Sequence, residues 1–245
     1  MLVIDFWQHN LDTTVTQQQE NWRVLDDTEK TQALKFSNTL LQERYINAHG
    51  RLRQILAHYL NLNDAPANLV MQKTAHGKPY LPDYPDLAFN LSHTDNVMVV
   101  AVAKNCQLGV DIEQCKPRSS MAALVAKCFS DQEAAYWRQL PETEQLQAFY
   151  QFWTRKEAFV KATGLGISLG LRDCVLNPNN PQQFLAIPSQ CGFPNDWHNR
   201  DIALEQGMCA AVVVDKDIAN VICCNYCESS DSGFSDSHIM KTVIS

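Results

Sequence analysis

No apolar run in this sequence approaches the roughly 20 residues needed to span a bilayer. The longest, Val97-Met98-Val99-Val100-Ala101-Val102-Ala103, has the length of a strand. The start, Met1-Leu2-Val3-Ile4-Asp5-Phe6, lacks the basic residues and long apolar stretch of a signal peptide, so no export route or membrane attachment is expected and the compartment is read as cytoplasmic. A disulfide framework is missing too. The nine cysteines are an odd number, scattered from Cys106 to Cys227 without regular spacing, and read as reduced thiols. The one C-x-x-C, within Cys223–Cys227, has no second cysteine pair to complete four zinc ligands, and with His238 nearby it reads as incidental. A basic excess is absent: 20 Lys and Arg face 27 Asp and Glu, a net charge of −7. That balance excludes nucleic acid as a partner and requires any anionic ligand to be held by a local basic patch.

What is present is an ordinary globular composition, 45% hydrophobic and 19% charged over 245 residues, enough for one large domain or two small lobes. Leu2 to Phe6 reads as a strand, Asp27 and Thr28 as caps of a helix running to about Phe36, and Thr39-x-x-Gln42 as a capping box opening a long amphipathic helix to Leu60. Strand candidates follow at Val70–Lys73 and Leu87–Phe89, around the loop Gly77-Lys78-Pro79. Val97–Ala103 and Leu108–Glu113 read as a hairpin about Lys104–Gln107. Ser130-x-x-Glu133 is a second capping box, and a helix from about Glu142 to Thr163 is stopped by Gly164 and Gly166. Strand signals then alternate with loops, and after Glu228 the composition turns to Ser, Asp and Gly. No repeat of fixed period is present, although helix-then-strands occurs once in each half. The pattern is α+β.

Chemistry concentrates in two segments. In Gly109-Val110-Asp111-Ile112-Glu113, strand geometry puts Asp111 and Glu113 on one face. In the helix, Trp153, Glu157 and Lys161 stand in one column, each four residues from the next. Taken alone, the first pair is equally the solvent face of an edge strand, and Glu157 with Lys161 is a surface i,i+4 pair worth about 0.3–0.5 kcal/mol. Brought together, three carboxylates repel and need a cation or raised pKa values. Mg²⁺ supplies the cation, and because it completes its octahedron with water and phosphate oxygens it implies a phosphate-bearing substrate. Phe89-Asn90-Leu91-Ser92-His93-Thr94, read as a polar segment between strands, and Lys78 upstream offer donors and a point charge for phosphate. A competing pattern, Gly166-Ile167-Ser168-Leu169-Gly170, matches the G-x-S-x-G of a hydrolase elbow, with Asp196 and His198 downstream. That elbow needs a strand before the serine and a helix after it. Here the order is reversed.

Five pieces in register, Gly77-Lys78-Pro79, Phe89-Asn90-Leu91-Ser92-His93, Gly109–Glu113, Phe129-Ser130-x-x-Glu133 and Trp153-x-x-Lys156-Glu157-Ala158-Phe159-x-Lys161-x-x-Gly164, resemble the 4′-phosphopantetheinyl transferase family in its larger, Sfp-like form. The likeness runs from about residue 28 to 170. It implies two similar α+β lobes related by a pseudo-twofold, with the active site in the cleft between them, here divided as 1–106, 107–228 and a disordered tail 229–245. It implies an enzyme that moves the 4′-phosphopantetheine arm of coenzyme A to a serine of an acyl or peptidyl carrier protein, releasing adenosine 3′,5′-bisphosphate. By position, Asp111, Glu113 and Glu157 would hold Mg²⁺, Lys161 would serve the departing bisphosphate, and Lys78, Asn90, Ser92 and His93 would contact the coenzyme. Glu157 is the candidate base for the serine. Family members carry basic residues in the first helix where this chain has Glu29 and Gln32, which leaves Arg44, Lys30 and Lys73 as candidates for the 3′-phosphate. The larger form implies a monomer, and the net charge of −7 implies that an anionic carrier docks through a local basic or apolar patch near the cleft after Ser119. Other readings at this point are a Mg²⁺-dependent hydrolase of coenzyme A or nucleotides, a serine esterase using Ser168, and a silent coenzyme A-binding module.

Overall fold

The computed structural model describes residues 1–62, 65–205, 207–226 and 239–244. In chain order they form β1 (Leu2–Asn10), α1 (Val15–Arg23), α2 (Asp27–Ala33), α3 (Thr39–Tyr59), β2 (Gln72–Lys73), β3 (Pro79–Tyr80), β4 (Leu87–Thr94), β5 (Val97–Lys104), β6 (Leu108–Gln114), α4 (Met121–Cys128), α5 (Asp131–Gln139), α6 (Glu142–Thr163), β7 (Val175–Asn177), β8 (Asn180–Ala186), β9 (His198–Ile202), β10 (Met208–Val214), β11 (Ile218–Tyr226) and β12 (Ile239–Ile244). The fold is α+β, as the sequence pattern leads one to expect. No described helix is long and apolar enough to cross a membrane.

The elements stack in layers. A five-stranded sheet runs in the order β12-β11-β1-β5-β4, and a three-stranded sheet in the order β6-β10-β9. On one face of the large sheet, Trp7, Phe89, Met98, Val100 and Val102 bury against Leu52, Ile55 and Leu56 of α3. On its other face, Ile4, Phe6, Val99 and Ala101 meet Val110, Ile112, Ala210 and Val212 of the small sheet. The small sheet's far side carries α6, through Cys209, Val213, Ala158, Phe159 and Ala162. Strict alternation along β6 therefore sends Leu108, Val110 and Ile112 into the inter-sheet core and Gly109, Asp111 and Glu113 towards α6.

Several expectations need correction. Val97–Ala103 and Leu108–Glu113 do not form a hairpin. Strand β5 pairs with β1 and β4, whereas β6 pairs with β10. Because Val97 to Ala103 is buried on both faces, β5 is a central strand, and after Asn105 (φ 55) the chain crosses to the second sheet. The hairpin is instead β4–β5, turned at Asp95 (φ 48). Strand β4 extends through Ser92 and His93, which the sequence reading placed between strands. Its polar residues reach the free edge of β6. Asn90 Oδ1 accepts from Val110 N at 2.9 Å and Thr94 Oγ1 accepts from Gln114 N at 3.2 Å. Side chains thus stand in for strand pairing where two sheet edges meet.

Helix starts also shift by one residue: Asp26, not Asp27, caps α2, and Asn38, not Thr39, caps α3. Helices α1 and α4 are additional to the expected set. The Ser130–Glu133 capping box is present, and α6 runs to Thr163 with Gly164 in the left-handed conformation, φ 68. Strand β11, assigned by the 107–228 boundary to the second part of the chain, pairs in parallel with β1. Of the tail expected to be disordered, Ile239–Ile244 pairs with β11 as β12. Residues 229–238 lie outside the described residues, as do Cys227 and His238.

One glycine sets the distance between α6 and the small sheet. A Cβ on Gly109 would lie 2.0 Å from Ala158 O and 2.4 Å from Ala162 N, both helix backbone. Gly109→Ala is expected to cost about 3 kcal/mol or more, the upper end of overpacking effects, read as a lowered urea midpoint of the purified protein.

Candidate functional site

Because α6 lies directly on Gly109, its column of Trp153, Glu157 and Lys161 passes beside the acidic face of β6. The Trp153 indole N–H donates to Glu113 Oε1 at 3.2 Å. One helical turn pair further on, Lys161 Nζ donates to Asp111 Oδ1 at 2.7 Å and to Ser92 Oγ at 2.8 Å. Ser92 Oγ itself donates to the same Asp111 oxygen at 2.8 Å. These residues, with Leu91, His93, Ile112 and Glu157, line an open pocket of about 410 Å³ at the seam between the sheet edges. The structure therefore brings together Asp111, Glu113, Glu157, Lys161, Ser92 and His93. Among the described residues, no group of three or more His, Cys, Asp or Glu side chains is placed to hold a metal ion.

The electrostatics are those of crowded acids. Burial, opposed only in part by Lys161 and Ser92, raises the Asp111 carboxyl above its usual range. Burial and then the Asp111 charge raise Glu113 and likewise Glu157. Asp111 Oδ2 is buried and accepts no hydrogen bond. Such an orphaned carboxylate oxygen is costly in a folded protein unless a cation or donor completes it. His93 is pushed the other way, first by burial and then by Lys161, His49 and Arg44. The buried Nε of Arg44, on α3, also makes no hydrogen bond. Arg44 Nη2 lies 3.7 Å from Asp12 Oδ1.

Other candidates fall elsewhere. Lys73 is exposed on β2. Asn90 is buried as the clasp on Val110. Lys78 sends its ammonium to the carbonyls of Leu108 and Ala162 rather than into the pocket. Lys30 is half-buried on α2. Glu29, where the resemblance leads one to expect a basic residue, accepts from Arg53 Nε at 2.5 Å. Arg118 was not among the sequence candidates, yet its Nη2 pairs with Glu113 Oε2 at 3.1 Å. The signal for it was the run Lys116-Pro117-Arg118 directly behind the acidic strand. Ser168 is exposed in a 3-10 turn after α6, its Oγ donating to Leu165 O at 3.1 Å. His198 pairs with Asp217, and Asp196 accepts from Phe193 N. No elbow and no triad form there, which removes the esterase reading.

Comparison with known proteins agrees with this geometry. The family model of the 4′-phosphopantetheinyl transferase superfamily matches residues 107–213, from β6 to β10. The 4′-phosphopantetheinyl transferase HetI of Nostoc sp. is 31% identical over 215 residues, 86% of this chain and 87% of its own length. A putative 4′-phosphopantetheinyl transferase of Synechocystis sp. is 29% identical over 188 residues, 75% of each chain. The 4′-phosphopantetheinyl transferase Sfp of Bacillus subtilis is 32% identical over 120 residues, 49% of this chain and 51% of its own. The chain belongs to the 4′-phosphopantetheinyl transferase family, a class of enzymes.

The raised Glu157 carboxyl has a consequence for stability. Between its ordinary value of 4.5 and its raised value, the folded protein binds more protons than the unfolded chain. Stability must fall as pH rises through that window. In metal-free buffer, Glu157→Gln should flatten the fall and raise the thermal midpoint at neutral pH. Thermal denaturation of both proteins from about pH 4 to pH 8 checks this.

Proposed function

We propose that this protein transfers the 4′-phosphopantetheine arm of coenzyme A to a serine of an acyl or peptidyl carrier protein, in a Mg²⁺-dependent reaction that releases adenosine 3′,5′-bisphosphate. The observation that carries the reading is the orphaned Asp111 Oδ2, buried beside two further carboxylates whose pKa values are raised and one lysine. That donor set fits a hard divalent cation, which takes oxygen ligands and draws the rest from water and phosphate. Asp111, Glu113 and Glu157 would hold it. Bound there, the ion would neutralise charge on the pyrophosphate of the substrate.

The chain's own residues supply alignment and charge. Lys161, anchored by Asp111 and Ser92, presents an ammonium at the pocket wall where the departing bisphosphate gains charge. Arg44, with the imidazoles of His49 and His93 near it as hydrogen-bonding groups, is a counterpart to the 3′-phosphate in an otherwise acidic chain. Glu157 is the candidate base for the carrier serine, directly or through a metal-bound water, taking the proton that must leave as the phosphorus–oxygen bond forms. The nucleophile comes from the partner, so the pocket's openness to one side suits the reaction. In this reading the enzyme works as a monomer in the cytoplasm, with its two sheet-and-helix halves as the lobes flanking the cleft.

Mass spectrometry of apo carrier proteins incubated with the enzyme, coenzyme A and Mg²⁺ tests it. The carrier should gain the mass of the phosphopantetheine arm. Hydrolysed coenzyme A with every carrier unmodified would support a hydrolase and overturn the transferase. Lys161→Met should slow transfer by about 10²–10³-fold, the usual cost of losing one charge-stabilising donor. Asp111→Asn should abolish the Mg²⁺ dependence of the thermal midpoint that the wild-type protein is expected to show.

A further inference from the structure

Lys78 is the ammonium that the pocket does not use. Its Nζ donates to Ala162 O at 2.7 Å and to Leu108 O at 3.0 Å. Burial brings its pKa down to about 8. No ion pair of Lys78 occurs among the described residues; its charge faces two carbonyls. One belongs to the last turn of α6, where carbonyls lack intrahelical partners and the helix dipole is negative. The other is the first residue of β6.

The surroundings are built for this contact. The loop that presents Lys78 is closed by Thr74 N donating to Lys78 O at 2.9 Å and Lys78 N donating to Thr74 Oγ1 at 3.2 Å. Gly164 leaves room for the side chain: a Cβ there would stand 3.2 Å from Lys78 Cδ. Leu108 and Ala162 are the immediate neighbours of Gly109 and Lys161. The ammonium therefore pins helix to strand at the point where Gly109 brings their backbones together.

We propose that Lys78 is a positioning residue, whose two carbonyl hydrogen bonds hold the end of α6 on β6 and so set Lys161 and Glu157 against Asp111. This takes the place of the coenzyme contact that the resemblance implied for Lys78, and it rests on the transferase reading for its kinetic consequence. A coenzyme contact would act on affinity. A positioning role acts on the rate after binding, because a displacement of about 1 Å in an aligning group costs on the order of 10²-fold.

Lys78→Met and Lys78→Arg separate the two. Below the unfolding transition, Lys78→Met should lower kcat by about 10–100-fold while the Kd of coenzyme A, by calorimetry with Mg²⁺ and no carrier protein, stays within about threefold. Lys78→Arg, which can still donate to both carbonyls, should recover much of kcat. Hydrogen exchange of residues 160–166 should quicken about tenfold in Lys78→Met while α3 is unchanged. A Kd raised tenfold or more with kcat intact, or unchanged exchange at the end of α6, would overturn the proposal. Should Lys78→Met fail to fold, the same measurements on Lys78→Gln decide it. If the wild-type protein transfers no arm to any carrier, the function reading fails, yet the exchange comparison still decides whether Lys78 holds the helix.

Discussion

The site depends on a backbone contact. At Gly109 the helix α6 rests on β6 with no side chain between them, and a Cβ would meet helix backbone at 2.0 Å. Every functional distance follows from that approach. With the helix one side chain further away, Lys161 would no longer reach Asp111, and the indole of Trp153 would part from Glu113. Glycine is usually a conformational choice, but here it is a spacing. The alternation of β6 then does the sorting, sending apolar residues into the inter-sheet core and acids towards the helix.

Buried charge in this protein divides into two kinds. Lys156 and Glu133 are fully buried, and their atoms are satisfied: Lys156 donates to Glu133, Leu171 O and Cys174 O, while Glu133 also accepts from Ser130 N and Leu176 N. Arg53 is similarly saturated by Asp26, Glu29 and three carbonyls. Such groups hold loops and helix ends, because breaking a satisfied buried pair leaves an uncompensated charge. Asp111 Oδ2 and Arg44 Nε are buried and unsatisfied. At Asp111, an unsatisfied oxygen rather than burial alone marks the site.

The acidic pair, the helical column and the end of α6 were legible in the sequence because each rests on a local period or a cap. The column of Trp153, Glu157 and Lys161 needs only helical spacing, and the stop at Gly164 needs only a left-handed residue. The missing parts are non-local. Asn90, Ser92 and Thr94 look like a polar turn until β6 lies beside them, since their partners are about twenty residues away. Strands β5 and β6 looked like a hairpin because nothing local reveals that both faces of β5 are already covered. The carbonyl partners of Lys78 are likewise hidden, being 30 and 84 residues distant in sequence. A resemblance transfers motifs, whereas hydrogen-bond partners come from the fold.

The charge arrangement also constrains the order in which ligands are held. The chain carries a net −7, and the pocket sets three carboxylates around one lysine that Asp111 already engages. A phosphate approaching alone would meet acids that, at about 4 Å and an effective dielectric near 20, repel it by roughly 4 kcal/mol each. A divalent cation alone would relieve the acids but leave most of its own coordination to water. Together the two satisfy each other: the cation screens the phosphate from the carboxylates, and the phosphate completes the cation. Lys161 and Arg44 then balance the remaining negative charge. On the proposed reading, a pocket of this composition would be complementary to a metal–pyrophosphate pair and less so to either component, which would tie recognition of the substrate to the same charges that stabilise the leaving group.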